Sequence, residues 1–437
     1  MSTEHPNSPL RRQDADVAAW LQREDQRQSS TLTLIASENH CSAAVREACG
    51  SRITDKYAEG YPNRRYYGGC EVADGIEELA RQRALQLFAG AAEANVQPHS
   101  GTTANLAALV ALAGPGGRIV GMALKAGGHL SHGHDRSHSG MLFDARQYGV
   151  DDTGRIDLDE VRRIVREHQP KVLIAGGSSY SRNIDYEAFG AIAREAGAFL
   201  LADIAHPAGL IAAGVVPSPV GIADVVTMTT HKTLRGPRGG MILATKDCAK
   251  LINSSVFPGA QGGPLVQQIA GKAVAFGEAL RPEFRAYQQR VKDNAAFLAE
   301  CLVGHGLDIV TGGTDNHIVL LDVNNFGLTG RQAEAALLDA GIVTNRNSVP
   351  NDPNGAWYTS GVRVGTPALT SRGFTTSDMD AVADLITGVL KNTTPTTTAA
   401  GAPSKAKFIL DEATKQATLD GAAALVGAHP LYPGLEL

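Results

Sequence analysis

Between about residues 95 and 245 short apolar runs alternate with stretches whose apolar residues recur at helical spacing. The runs RIVGM (118–122), KVLIAGG (171–177), FLLADIA (199–205), ADVVTMT (223–229) and GMILAT (240–245) predict strands. LDEVRRIVREH and YEAFGAIAREAGA, lying between them, predict amphipathic helices, as does GIEELARQRALQLFAG (75–90), which ends on a glycine. Such alternation predicts an α/β fold with a parallel or mostly parallel sheet covered by helices. Upstream, DVAAWLQREDQRQSSTLTLIASEN opens as a helix and runs into an apolar segment. After PLVQQIAGKAVAFGEAL and the helical EFRAYQQRVKDNAAFLAECLVG the pattern changes. HIVLLDV (317–323), GIVTN (341–345) and VRVGT (362–366) predict strands of a smaller α+β unit. NTTPTTTAAGAPS (392–404) is low in complexity and is expected to be an exposed Thr/Ala/Pro linker. The expected organisation is an N-terminal arm (1–53), a large domain (54–282) and a C-terminal small domain (283–437).

Composition narrows the function. With 437 residues, 43% apolar and 19% charged, the chain can bury a large core, and its net charge of −5 lacks the basic balance of a nucleic-acid binder. Five cysteines form no CxxC pair, which reads as reduced thiols. No apolar leader and no run of eighteen apolar residues is visible, so a cytoplasmic protein with no membrane partner is expected.

One stretch, HLSHGHDRSHSG (129–140), holds four histidines and an aspartate and has the atoms of a metal site. Its glycines and serines argue for a loop instead of a helix that would align them. More informative is TMTTHKTLRGPRGG (227–240), where Lys232 follows a predicted strand; most lysines are merely solvated. Asp203, however, ends another predicted strand 29 residues earlier. An acid and a lysine at neighbouring strand ends suit pyridoxal phosphate chemistry, the amine forming a Schiff base and the acid keeping the pyridine nitrogen protonated. Ser100, Gly101 and Thr102 in HSGTTAN precede a helical run and could cradle a phosphate, although a capped helix with no ligand reads the same way.

LIASEN, KYAEGYP, RRYYGGCE, NVQPHSG, GGHLSHG, THKTLRGPRGG, FPGAQGGP, GGTDNH, NSVPNDP and SGVRVGTPA, in this order, resemble serine hydroxymethyltransferase, and HPLYPGL near the end belongs to the same likeness. The resemblance runs from about residue 17 to 391 and implies a fold-type I pyridoxal 5'-phosphate (PLP) enzyme. By it, Lys232 is the Schiff-base lysine, Asp203 the pyridinium partner, His206 a neighbour of the cofactor hydroxyl, His129 a ring-stacking residue and Ser178 a contact to O3′. Ser100, Gly101, Thr102 and His231 would hold the phosphate, with Tyr57, Gly262 and Gly263 supplied by a neighbouring subunit. Arg363 and Ser37 would bind the amino-acid carboxylate, the arginine through its planar fork. Glu59, also from the neighbour, would handle the proton of the substrate hydroxyl, aided by Tyr66 and Tyr67, with Thr229 also among the catalytic residues. Leu124, Gly128, Phe257 and Asn347, with Glu59, match folate-contacting positions.

The implied reaction moves the hydroxymethyl group of L-serine to tetrahydrofolate, giving glycine and 5,10-methylene-tetrahydrofolate, in a homodimer or tetramer with shared sites and no resident metal. Thr103, Asn63 and Met228 depart from the commonest pattern of the resembled family, and the largest departure is His134, Asp135, Arg136 and His138 in a segment that usually is hydrophobic and contains asparagine. A solvated, variable loop is one reading of that segment. A reshaped second-substrate pocket is the other. It would fit an enzyme of specialised metabolism that uses the same carbanion, a threonine:aldehyde transaldolase or an α-methylserine hydroxymethyltransferase.

Overall fold

The computed structural model describes residues 9–432; the end of the HPLYPGL stretch and the first eight residues lie outside it. Seven strands form the large sheet: β1 (Glu93–Asn95), β2 (Arg118–Met122), β3 (Asp144–Tyr148), β4 (Val172–Gly176), β5 (Phe199–Asp203), β6 (Val225–Thr229) and β7 (Gly240–Ala244). Their spatial order is β1-β7-β6-β5-β4-β2-β3. Only β7 runs against its neighbours, so the expected mostly parallel α/β sheet is present. β4, β6 and β7 are buried along their whole length and β5 from Leu200 onward, as continuous apolar runs covered on both faces require. One face packs a cluster including Phe189, Tyr148 and Phe276. The other packs Leu109, Phe143 and Ile252.

Two strands escaped the periodicity. β3 is DARQY, an edge strand with an exposed, polar alternation that an inner strand could not carry. β1 has three residues, one of them Asn95, whose amide is held by Tyr61 Oη and Asn253 Oδ1.

The smaller sheet is antiparallel, in the order β8-β9-β11-β10, with β8 (Asp308–Ile309), β9 (Ile318–Asp322), β10 (Asn345–Asn347) and β11 (Gly361–Gly365). The N-terminal arm joins it: Leu32–Thr33 pairs with Ile342–Val343, and Leu32 and Leu34 are wholly buried in the small core. The Pro282–Gly304 helix spans both cores, giving Phe284, Tyr287 and Val291 to the first and Leu298 and Leu302 to the second.

The expected linker at 392–404 is instead part of a β-hairpin, β12 (Thr393–Thr397) with β13 (Pro403–Leu410). Threonine is a strong strand former, and the hairpin is anchored from outside it. Thr329 Oγ1 donates to Lys405 O, and Gln332 Nε2 donates to Ser404 O and Lys407 O. The 129–140 stretch is also more ordered than the loop expected of it, with a single turn at Leu130–His132 and a short helix at His138–Leu142.

Candidate active site

β2, β4, β5 and β6 run parallel, so the segments that follow them emerge at one edge of the sheet, where ligands of such folds gather. Asp203 is the last residue of β5, paired across the sheet with Gly176 and Thr227, and Lys232 lies three residues past the end of β6. Both are buried, at 7% and 9% exposure.

Asp203 is held from three sides. Asn105 Nδ2 donates to its Oδ2 at 2.8 Å, His132 Nε2 lies 2.9 Å from the same oxygen, and Ala205 N donates to Oδ1 at 2.9 Å. Burial alone would raise the carboxyl pKa, but the hydrogen bond from His132, the nearby imidazoles and Asn105 hold it well below the usual carboxylate range. It therefore stays ionised, as a partner for a protonated pyridine nitrogen must.

The directions of this network follow from donor and acceptor counting. Thr227 Oγ1 donates to Asn105 Oδ1 at 2.6 Å, which leaves the Asn105 amino group for Asp203 and for Ser131 Oγ, 2.8 Å away. Ser131 Oγ is then free to donate to His129 Nδ1 at 2.7 Å, and Ser131 N donates to that nitrogen as well. The His129 proton accordingly sits on Nε2. Burial, followed by His132, draws the pKa of His129 down to about 4, so its ring is neutral. His129 N donates to His132 Nδ1, which puts the His132 proton on Nε2, facing Asp203. His132, in the GGHLSHG stretch, is thus a direct partner of Asp203. Asn105 and Ser131 were not foreseen, though Asn105 stands inside the HSGTTAN stretch, and a buried amide so close to a phosphate-type turn is a readable signal.

Lys232 donates its amine to no group among the described residues. Burial lowers its pKa to about 8, against an opposing pull from Asp203. Thr229 Oγ1 donates to Ala205 O beside it. His206 is fully enclosed, its Nδ1 3.3 Å from His317 Nε2 with the rings stacked at 5.5 Å, and burial drives its pKa well below the usual value. His231 is drawn to about 3 by burial and by Lys232, and its buried Nδ1 has no partner among the described residues.

Arg363 enters from the small domain, on β11. Its Nη1 donates to Ser178 O at 2.6 Å and its Nε to Asn345 Oδ1 at 3.0 Å. Burial alone lowers its pKa, to about 10, and no carboxylate among the described residues pairs with it. A guanidinium this far withdrawn from water, though only part-buried, is costly without an anion unless a ligand supplies one. Ser37 ends the segment whose Leu34 carbonyl accepts from Gly365 N at the end of the same strand. Ser178 N and Ser179 N both donate to Gly127 O, and Asn347 Nδ2 donates to Ser179 Oγ. The Leu124–Gly128 turn, Ser178, Asn347 and Arg363 thus meet at one seam between the domains.

Ser100 caps the Gly101–Ala113 helix by accepting from Thr103 N, which leaves the first amides, at Gly101 and Thr102, without intrahelical partners. A side chain on Gly101 would lie 2.7 Å from Thr229 Cγ2, so glycine is needed where the helix start meets β6. An amine without an acceptor, an ionised acid, a carboxylate-free arginine and an open helix start together fit pyridoxal phosphate and an amino acid.

Tyr57, Glu59, Tyr66, Tyr67, Phe257, Gly262 and Gly263 form a second group. Tyr57 Oη donates to Glu59 Oε1 at 3.3 Å and its ring meets Tyr67 edge-on at 5.0 Å; Tyr66 lies 5.7 Å from Phe257. Gly262 and Gly263 back directly onto Glu59 and Tyr57. No hydrogen bond or ring contact among the described residues ties this group to Lys232, Asp203 or Arg363. It faces outward, Tyr66 being 76% exposed.

The divergent segment divides. Asp135 and Arg136 are solvated, and His134 Nδ1 lies 3.0 Å from Asp135 Oδ1. His138 is half-buried, its Nε2 has no partner among the described residues, and it contributes slightly to lowering the pKa of His129. No group of three His, Cys, Asp or Glu side chains among the described residues is placed to hold a metal ion. Nor is any described helix long and apolar enough to cross a membrane.

A family model described as serine hydroxymethyltransferase matches residues 10–386, the greater part of the 437. With a fold-type I sheet, and Lys232 and Asp203 at the carboxyl ends of adjacent strands, the chain belongs to the serine hydroxymethyltransferase family, whose members are PLP-dependent hydroxymethyl-transfer enzymes.

Proposed function

We propose that the protein transfers the hydroxymethyl group of L-serine to tetrahydrofolate, giving glycine and 5,10-methylene-tetrahydrofolate. The observation that carries the reading is Arg363: a part-buried guanidinium that no carboxylate among the described residues neutralises, at the same seam as the amine of Lys232. An α-amino acid brings the missing carboxylate, and the arginine's fork can pair both its oxygens.

When bound, PLP supplies a ring that accepts the electrons of the Cα–Cβ bond. Lys232 would hold the cofactor aldehyde, and Asp203 would keep a proton on the ring nitrogen. Neutral His129 offers an uncharged face for stacking. The Gly101 and Thr102 amides, Ser100 and His231, whose Nδ1 has no partner among the described residues, would hold the phosphate. Arg363, with Ser37, fixes the substrate carboxylate and so orients the bond to be broken.

The exposed Tyr57–Glu59–Tyr66–Gly262–Gly263 group supports a shared site in a homodimer or higher assembly, in which Glu59 of one subunit moves the hydroxyl proton of a substrate bound by the next. Leu124 and Gly128, with Asn347 at the domain seam, offer a folate surface. Glycine formation from L-serine, followed by chromatography with and without tetrahydrofolate, tests the reading; turnover that ignores the folate refutes it. Half-buried His138, in the divergent segment that follows His129, favours one alternative, a relative that passes the carbanion to a different acceptor. In that case the folate is inert and L-threonine with an added aldehyde is consumed.

A further inference from the structure

Lys272 lies on the Val266–Ala279 helix and is 1% exposed. Its ammonium donates to three backbone carbonyls, Val96 O at 2.6 Å, Gly240 O at 2.8 Å and Pro98 O at 3.2 Å. No carboxylate among the described residues touches it. Burial draws its pKa down to about 7 against the pull of Glu77, and three acceptors facing three N–H bonds favour the ammonium. A buried cation is expensive, and an apolar side chain would fill this helix position at less cost. What the charge holds together is therefore informative.

Val96 and Pro98 lie in the segment between β1 and Ser100, the cap of the Gly101–Ala113 helix. Gly240 opens β7 and closes the loop that carries His231 and Lys232. The two segments are pressed together: Gly240 N donates to Pro98 O at 2.9 Å, and a side chain on Gly240 would lie 2.2 Å from Ser100 O. A side chain on Gly239 would strike Lys272 Cε at 2.5 Å, so the stem of the lysine is fitted closely to the same loop.

We propose that Lys272 is a positioning residue for the cofactor phosphate, its ammonium clasping the Val96–Pro98 segment to Gly240 and so setting where Ser100 and the first helix amides stand relative to Lys232. This rests on the reading that this helix start holds the phosphate. Without the ammonium, Val96 O and Gly240 O each lose a donor, and Pro98 O keeps the bond from Gly240 N while Gln261 still holds Gln97 O and His99 N. The helix start is then free to shift, while Lys232 and Asp203, held by other contacts, remain.

The test compares PLP with pyridoxal, which has the same ring and aldehyde but no phosphate. Apoprotein is titrated with each, and dissociation constants are read from absorbance or equilibrium dialysis. Lys272→Met should weaken PLP binding about tenfold or more and change pyridoxal binding less than about twofold. Lys272→Gln retains two N–H donors and should fall between Met and wild type. Ser100→Ala, measured beside them, reports on the underlying reading. If it leaves the preference for PLP over pyridoxal intact, the phosphate assignment itself is wrong. If Ser100→Ala loses that preference and both lysine variants keep it, the role given to Lys272 fails alone. Equal loss of both ligands in the lysine variants, or apoprotein that no longer melts cooperatively in either, makes Lys272 a residue of the general fold and overturns the proposal.

Discussion

Asn105→Ala removes a side chain that serves three partners at once: Asp203 Oδ2 and Ser131 Oγ at 2.8 Å, and Thr227 Oγ1 at 2.6 Å. All four residues are buried. A hydrogen bond to an ionised acceptor contributes about 1.5–3 kcal/mol, and the lower end applies because Asp203 keeps His132 and Ala205. The neutral bond to Ser131 adds about 1 kcal/mol, and the orphaned Thr227 hydroxyl about 1–2 more. The expected loss is about 4 kcal/mol, roughly a thousandfold in the folding equilibrium. Urea unfolding of the apoprotein, followed by circular dichroism, measures it.

Asn105 and Thr227 share one bond, so their losses are not additive. Thr227→Val alone leaves Asn105 Oδ1 without its donor and should cost about 1–2 kcal/mol. In the double variant no orphan donor is left, so the total should fall short of the sum by at least about 1 kcal/mol. Additivity within about 0.5 kcal/mol, or an Asn105→Ala protein that unfolds at the wild-type urea concentration, would show that this network does not hold Asp203 in place.

Arg363→Ala should weaken glycine binding to the PLP-loaded protein about a hundredfold while PLP affinity stays near wild type, as measured by calorimetry; an unchanged glycine constant would remove the arginine from the carboxylate site. Lys232, depressed to about pKa 8, loses its proton as pH rises, so PLP capture by apoprotein should accelerate about tenfold per unit below pH 8 and level off above it. A stopped-flow rate independent of pH would contradict that amine environment. Glu59→Gln should leave PLP binding intact and severely reduce folate-dependent turnover; near-wild-type turnover would exclude Glu59 as the proton carrier. Gln332→Ala should expose the β12–β13 hairpin to limited proteolysis without altering PLP affinity, since its amide is what ties Ser404 and Lys407 to the small domain; unchanged cleavage would show that the hairpin is held by other means.

The inner strands were legible in the chain because full burial on both faces makes each a short unbroken apolar run, and β2, β4, β5, β6 and β7 fall within a residue or two of their expected limits. The placement of Asp203 and Lys232 at neighbouring strand ends was legible because each follows or ends an apolar run that locates its strand. β3 was not legible, because an edge strand can be polar. The hairpin at 393–410 was missed because low complexity describes composition, whereas its anchoring comes from Thr329 and Gln332, more than seventy residues away. Sequence alone also brought His129 and Lys232 forward as candidates. Which nitrogen of His129 bears its proton, and what keeps Asp203 ionised, depend on Asn105, Ser131, His132 and Thr227, whose partners lie up to 122 positions off. Hydrogen-bond direction is a property of atoms meeting in space, and only the folded sheet brings these together.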